Sequence, residues 1–262
     1  MSDDSQWARP AEPPDRPPEP RHPHGPTDEG VPTPAPVAIP TGRGDVVLSA
    51  KQIERKFRRG SEKVVALEGV DLELYRGEIV ALVGPSGSGK TTLLNVLCGW
   101  ETPDRGTVSW NGSTTSMADV EWEGLALVPQ APGLIEDLTI AENVGLPCRL
   151  RNDSPGSTLQ AVGHVLSALG LIELRDRYPD EVSLGEQQRT SVARALVLGP
   201  DLLLADEPTA HQDALSMDRV LRAMRLLVES GKSCIVASHN PEVLDAADRV
   251  VEMRDGRLSE RL

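Results

Sequence analysis

Long apolar runs are missing from this sequence. No stretch approaches the roughly 18–20 consecutive apolar residues that a transmembrane helix needs. The N-terminus has no apolar stretch of the kind that a secretory signal requires. These two absences predict a soluble protein, in which any association with a membrane comes through a partner.

Cysteine and positive charge are also in short supply. The three cysteines, Cys98, Cys148 and Cys234, lie far apart without the spacing of metal ligands, so we expect buried, reduced thiols. The formal net charge is −13, which argues against nucleic-acid binding because a phosphate backbone requires a basic surface. The charge does not exclude mononucleotides, whose phosphates can be held by backbone N–H groups and one lysine.

Residues 1–45 differ in composition from the rest of the chain. They are dense in proline and charge and contain few large aliphatic residues. Such a segment buries too little apolar surface to offset the entropy lost on ordering, so we expect a disordered tail with polyproline II character. Residues 46–262 are predicted to fold as one domain.

The folded part has the patterns of an α/β protein. Alternating apolar and polar residues predict half-exposed strands, and continuous apolar runs predict strands buried on both faces. The half-exposed strands are predicted at 46–57 and 70–74, the buried strands at 78–84, 124–128, 201–206 and 233–238, and a terminal hairpin at 248–260. Helical periodicity is present at 158–170, 185–198 and 213–230. The sequence therefore predicts a mostly parallel sheet with helices.

A glycine-rich loop follows the buried strand at 78–84. It fits the pattern G-x-x-x-x-G-K-[ST], and its residues are Gly84, Pro85, Ser86, Gly87, Ser88, Gly89, Lys90 and Thr91, with Thr92 next. Backbone N–H groups of such a loop and the positive end of the following helix hold phosphates. We expect Lys90 to reach the β- and γ-phosphates, Thr91 to coordinate Mg²⁺, and Thr92 to contact the nucleotide. An accidental glycine-rich turn is disfavoured because a strand precedes the loop and a helix follows it.

A pair of carboxylates ends the buried strand at 201–206. An acid at this place is unfavourable unless it holds a cation, so Asp206 is the predicted magnesium-side carboxylate. Glu207 is positioned to polarise a water for attack on the γ-phosphorus. A solvated acidic turn is the alternative when this segment is considered alone.

Across residues 46–262 the sequence resembles the ABC ATPases. The resemblance depends on motifs in a fixed order: Phe57 at the adenine-stacking position, the phosphate loop, Gln130 at the Q-loop, residues 182–189 at the signature, the Walker B segment with Asp206 and Glu207, residues 211–213 at the D-loop, and His239 as the switch histidine. The joint order and spacing of these motifs are far more specific than any one of them.

The resemblance implies a head-to-tail dimer, formed with a second copy or with a related subunit, that encloses two ATP molecules. Ser183 and Gly185 would contact the γ-phosphate bound to the other subunit, and Asp213 would connect the two sites. Gln130 would sense Mg²⁺ and the attacking water, and His239 would contact the γ-phosphate. His164 has no such support and is an ordinary helix residue.

The resemblance also implies an architecture and a partner. A P-loop core at 46–130 and 183–262 would carry an antiparallel β subdomain, and residues 131–182 would form an inserted α-helical subdomain. An integral membrane permease would dock on this insert, which places the chain in the cytoplasm at the inner face of the membrane. The segments at 138–147 and 169–179 are similar to ATPases of macrolide export, lipoprotein release and cell division.

Two residues depart from the family pattern. Leu184 replaces the first glycine of the signature, and Gln212 stands where the D-loop usually has leucine. Both departures predict normal ATP binding with reduced turnover. Three functions stay open: an ATPase for export or extraction, a signalling or mechanical ATPase of the cell-division type, and a weakly catalytic binding subunit.

Overall fold

A computed structural model describes residues 45–60, 62–113 and 120–260. Except for Asp45, the predicted disordered tail lies outside the described residues. The elements in chain order are β1 (Val46–Arg59), β2 (Glu62–Tyr75), β3 (Ile79–Val83), α1 (Lys90–Leu97), β4 (Arg105–Trp110), β5 (Leu125–Val128), α2 (Ile140–Leu150), α3 (Pro155–Ala168), α4 (Leu184–Leu196), β6 (Leu202–Asp206), α5 (Ala214–Glu229), β7 (Ser233–Ala237), α6 (Pro241–Ala246), β8 (Arg249–Arg254) and β9 (Arg257–Glu260).

The central sheet has six strands in the order β5-β6-β7-β3-β8-β9. Its pairs are parallel except the terminal β8–β9 hairpin, which is antiparallel. Every residue of β3, β6 and β7 is buried. The buried strands predicted at 78–84, 201–206 and 233–238 and the terminal hairpin are thereby confirmed. The strand predicted at 124–128 is present as β5, but only its last residue, Val128, is buried, because β5 lies at the edge of the sheet.

Side chains of the buried strands alternate between two apolar clusters. Leu202 and Leu204 pack with β1, β2 and α1 on one face of the sheet. Leu203 and Ala205 pack with α2, α3, α4 and α5 on the other face. Because successive residues of a strand point to opposite faces, both sides of this strand must be apolar, which explains the continuous run.

A smaller antiparallel sheet has the order β2-β1-β4. The half-exposed patterns correctly indicated β1 and β2, although β2 extends much further toward the N-terminus than the predicted strand at 70–74. β4 was not predicted. It is only six residues long, and half of its residues are exposed, so the apolar signal of a strand is weak.

The three predicted helices are present as α3, α4 and α5, with small shifts of their ends. Polar caps fix their starts: Ser154, Ser183 and Asp213 each accept a hydrogen bond from a backbone N–H of the first turn. Helix α2 carries Pro147 in its interior, which removes one hydrogen-bond donor and conceals the helical signal.

Helices α2 and α3 lie between β5 and β6 in the chain. Their apolar residues belong to the same cluster as residues of the central sheet. The separate helical subdomain at 131–182 therefore stays a proposal. No helix within the described ranges is long and apolar enough to cross a membrane, and all three cysteines are buried free thiols, as predicted.

Candidate nucleotide site

The phosphate loop begins where β3 ends and closes on the first turn of α1. Two of its glycines lie against neighbouring backbone. A Cβ on Gly84 would be 2.1 Å from the carbonyl oxygen of Met253, and a Cβ on Gly89 would be 2.4 Å from that of Ala66. Both residues also have positive φ angles, 150° and 110°. Only glycine fits these two positions.

Hydrogen bonds hold the loop in its curved shape. The Nζ of Lys90 donates to the carbonyl oxygens of Gly84 (2.7 Å) and Pro85 (3.2 Å). The N–H of Gly256, in the turn of the terminal hairpin, donates to the carbonyl of Ser88 at 3.0 Å. The Lys90 ammonium therefore lies over the loop, where phosphates would be bound.

Asp206 and Thr91 meet at the carboxyl edge of the sheet. The hydroxyl of Thr91 donates to Oδ2 of Asp206 at 2.5 Å. Asp206 is only 4% exposed, and burial raises the pKa of its carboxyl group, while the hydrogen bond from Thr91 lowers it in part. A cation at this place would offset the unfavourable burial of a negative charge.

Glu207 adopts a φ of 50°, unusual for a residue with a side chain. Its N–H donates to the carbonyl of Ala237 at 2.8 Å. The carboxylate accepts a hydrogen bond from the hydroxyl of Ser238 (3.2 Å) and lies 2.8 Å from Nδ1 of His239. The Glu207 side chain is 15% exposed and that of His239 is 83% exposed, so one carboxylate is oriented at the rim of the site.

Gln130 and Phe57 lie on separate elements. Gln130 is exposed and follows β5, the neighbour of β6 in the sheet. Phe57 is half-buried on β1, and the Arg55 guanidinium lies 4.9 Å from the centre of its ring. In this structure Phe57 thus already has a cation–π contact.

The predicted signature residues lie at the start of α4. The hydroxyl of Ser183 accepts from the N–H of Glu186 (3.3 Å), and the N–H of Ser183 donates to the Glu186 carboxylate (2.7 Å), which completes a capping box. A Cβ on Gly185 would be 2.6 Å from the carbonyl oxygen of His211. Gly185 is therefore required by packing on the D-loop of its own chain. Leu184 between them is 46% exposed.

The D-loop is shaped by local contacts. His211 has a φ of 60°. The side-chain amide of Gln212 donates to the carbonyl of Pro208 at 2.9 Å. Asp213 accepts from the N–H of Ser216 at 2.7 Å and caps α5, and this bond lowers the pKa of its carboxyl group.

The structure brings the phosphate loop, Asp206, Glu207 and His239 to one edge, because β3, β6 and β7 are adjacent parallel strands. Ser183, Gly185 and Asp213 form a second group with the D-loop. Sequence reasoning missed Ser238, which contacts Glu207, and Arg194, which contacts the segment after Gln130. An arginine among apolar helix residues is a signal that could have identified Arg194.

The donor set at the carboxyl edge fits Mg²⁺, which prefers oxygen ligands and retains water and phosphate oxygens. Thr91 and Asp206 supply a hydroxyl and a carboxylate. Elsewhere in the described residues, as here, no group of three or more His, Cys, Asp or Glu side chains could hold a metal alone. The protein would thus hold this ion jointly with a nucleotide. Fold and site together define a P-loop nucleotide-binding protein.

Comparisons with known proteins narrow this class. A family model described as "ABC transporter" matches residues 67–210. The lipoprotein-releasing system ATP-binding protein LolD of Gluconobacter oxydans (strain 621H) is 39% identical over 222 residues, covering 82% of this chain and 96% of that protein. The macrolide export ATP-binding/permease protein MacB of Azoarcus sp. (strain BH72) is 36% identical over 230 residues, covering 86% of this chain. The chain spans only 35% of that relative's length.

A solved structure has the same fold. The dimeric ATP-binding cassette MJ0796, in a post-hydrolysis state bound to ADP and Pi, aligns with a TM-score of 0.77 and 29% identity over 81% of this chain and 98% of that one. The chain therefore belongs to the ABC transporter family. It has the fold of an ATP-binding cassette, as the sequence motifs predicted.

Proposed function

We propose that this chain binds ATP with Mg²⁺ and hydrolyses it to drive a separate membrane permease. The observation that carries the proposal is the carboxylate of Glu207, oriented by Ser238 and His239 at the same sheet edge as Lys90. In this role Glu207 accepts a proton from the water that attacks the γ-phosphorus, and His239 orients the carboxylate and contacts the γ-phosphate.

The remaining residues of the phosphate site have binding roles. The N–H groups from Gly84 to Thr92, which include those of Ser86, Gly87, Ser88 and Gly89, surround the phosphates, and Lys90 neutralises their charge. Thr91 and Asp206 would hold Mg²⁺, which supplies charge neutralisation at the β- and γ-phosphate oxygens. The side chain of Gln130 would sense the metal and the attacking water. Phe57 would stack on adenine.

We further propose that two copies pair head to tail. Ser183 and Gly185 of one copy then contact the γ-phosphate held by the other, at the N-terminus of α4, where the helix dipole favours an anion. Asp213 lies beside this surface. The exposed position of Leu184 and the dimeric state of the MJ0796 cassette support this arrangement.

An acidic groove is the proposed place for the permease. Its volume is about 910 Å³, and it is lined by Pro132, Gly133, Leu134, Glu136, Asp137, Tyr178, Pro179, Asp180, Glu181 and Gln187. Four of these side chains are carboxylates, which favours a basic cytoplasmic segment of the partner. This docking places the chain at the inner face of the membrane. The names of the LolD and MacB relatives favour export or lipoprotein extraction as the driven process.

A weakly catalytic subunit is the second candidate. It is favoured by Leu184, whose branched side chain stands where glycine would allow close approach of a triphosphate. In that case the chain would bind ATP and pair, but turn over slowly.

Substitution of Glu207 by Gln tests the proposed hydrolysis. We expect phosphate release to fall by at least about 100-fold, since a general base contributes roughly 10²–10⁴ in rate, while ATP binding is retained. Glu229→Gln, at the exposed end of α5, is the matched control and should leave the rate unchanged. Rapid ATP hydrolysis by the Glu207 variant would show that Glu207 is not the general base.

Copurification tests the proposed docking. The chain is captured from membranes with ATP and vanadate, and the retained integral membrane protein is identified by mass spectrometry. Asp137→Lys with Asp180→Lys should abolish its retention, whereas Asp218→Lys on the exposed face of α5 should not. Equal retention by both variants would show that the permease does not dock in the groove.

A further inference from the structure

The segment that carries Gln130 is attached to helix α4 on both sides of that residue. On the N-terminal side, Nε2 of Gln188 lies 3.4 Å from the carbonyl oxygen of Pro129. On the C-terminal side, the two terminal nitrogens of Arg194 donate to the carbonyls of Gly133 (2.8 Å) and Pro132 (3.0 Å). One helix thus holds the backbone before and after Gln130.

The contact of Arg194 is specific in its geometry. A planar guanidinium that bonds two successive carbonyls fixes both position and orientation, which a single ammonium cannot do. In the part of the chain that the structure describes, no carboxylate forms an ion pair with Arg194. Burial of the side chain lowers its pKa, so the charge is partly desolvated without a counter-charge. The two hydrogen bonds to carbonyl oxygens offset part of this cost, so the side chain depends on the segment after Gln130.

Helix α4 is a suitable rigid connection. It starts at the capping box of Ser183 and runs 13 residues, and Gln188 is only 2% exposed. Gln188 and Arg194 lie one and nearly three turns after the start of α4. A displacement of the attached segment would therefore be passed along the helix to its Ser183 end.

We propose that Arg194, assisted by Gln188, is a positioning residue that couples Gln130 at one nucleotide site to the Ser183 end of α4, which serves the partner's site. The inference rests on the proposed function, because it requires Gln130 and Ser183 to act at two nucleotides of one dimer. Arg194 touches neither nucleotide. It acts through the two carbonyls alone.

The first experiment separates turnover from binding. Arg194→Met keeps the apolar stem but removes every donor. We expect kcat to fall about tenfold, because the segment after Gln130 loses two charge-assisted hydrogen bonds, while the equilibrium affinity for ADP stays within twofold. Arg194→Lys should recover part of the rate. Arg222→Met is the control, since Arg222 forms an exposed ion pair with Asp218 on α5.

The second experiment asks whether Arg194 acts through Gln130. If it does, Arg194→Met should add little to the loss caused by Gln130→Ala, because residues that act as one unit are not additive. A purely structural role would lower the rate by the same factor in both backgrounds, and that result would overturn the proposal. Equal losses of ADP affinity and kcat would overturn it too.

A control for folding and for the underlying function completes the test. Should Arg194→Met yield no folded protein, Arg194→Lys and Gln188→Met carry the same comparison. If the wild type hydrolyses ATP and Glu207→Gln abolishes this hydrolysis, the proposed function is supported. A normal rate for the Arg194 variants would then overturn this inference alone.

Discussion

The carboxyl edge of the central sheet and the surface at the start of α4 are built in different ways. At the sheet edge, Asp206 is 4% exposed and bonded to Thr91, and Glu207 is held by two neighbours. At the other surface, Leu184 is 46% exposed. The side-chain oxygen of Gln212 is buried there without a partner among the described residues. In the first region both carboxylates are held by contacts within the chain, whereas we infer that a partner completes the second region.

This difference explains where the sequence departs from the family pattern. The residues of the phosphate site follow strands that are buried in the core. A substitution among them would therefore disturb the fold as well as the site. The start of α4 is fixed by the capping box of Ser183 and Glu186, which leaves Leu184 free to vary without loss of the helix. We therefore expect the departures to affect turnover more than folding.

The largest effect is expected from Lys90→Ala, at the sheet edge. Loss of a charged donor to phosphate should weaken ATP binding about 100-fold, as charge-assisted hydrogen bonds contribute roughly 1.5–3 kcal/mol each. Equilibrium titration with a labelled nucleotide measures the change. Lys56→Ala, which removes a partly exposed ion pair with Glu54, is the control. Unaltered ATP binding by the Lys90 variant would contradict the assignment of this sheet edge as the phosphate site.

Gly185→Ala tests whether the start of α4 needs its own D-loop. The added Cβ would lie 2.6 Å from the His211 carbonyl, so we expect a loss of about 1–3 kcal/mol in the free energy of unfolding. Gly163→Ala is the matched control in α3. Its Cβ meets nothing within 4 Å, and it should stabilise the protein by up to about 1 kcal/mol. Urea denaturation of both variants measures the contrast. Equal stability changes would mean that Gly185 is free of the D-loop.

Leu184→Gly tests the surface at the start of α4 and leaves the carboxyl edge of the sheet unchanged. Removal of the branched side chain should raise the turnover severalfold by allowing closer approach of the partner's nucleotide, while single-site ATP affinity stays the same. Leu184→Ala separates side-chain volume from backbone freedom and should give an intermediate rate. Turnover that is unchanged or lower in both variants would show that the steric explanation is wrong.

The smallest effect concerns Asp206→Asn in the nucleotide-free protein. Because burial raises the pKa of Asp206 in the folded state, its ionised form destabilises the fold at higher pH. This penalty is lost as the pH falls through the folded-state pKa. The variant should therefore be more stable than the wild type, by a larger margin at pH 8 than at pH 4. Thermal melts at both values measure the margin, and the reverse order would contradict the burial effect.

Much of the fold could be predicted from the sequence because strong local patterns encode it. The buried runs gave β3, β6 and β7, and the glycine pattern located the phosphate loop. Strand β4 and helix α2 could not be predicted in the same way, because exposed residues and an interior proline remove their signals.

The site was predicted less completely than the fold. Motif order located Glu207 and His239, but it carries no information on side-chain direction. The hydroxyl of Ser238 on Glu207 and the guanidinium of Arg194 on two carbonyls depend on contacts between residues far apart in sequence. Such contacts arise only when the strands and α4 are packed together.

We infer that a partner copy completes the second region over trapped ATP. The most direct test is the molar mass of the Glu207→Gln protein, measured by light scattering with and without ATP and Mg²⁺. We predict that ATP with Mg²⁺ doubles the mass and that ADP does not. If the mass remains that of a single chain at saturating ATP, two copies do not pair over ATP.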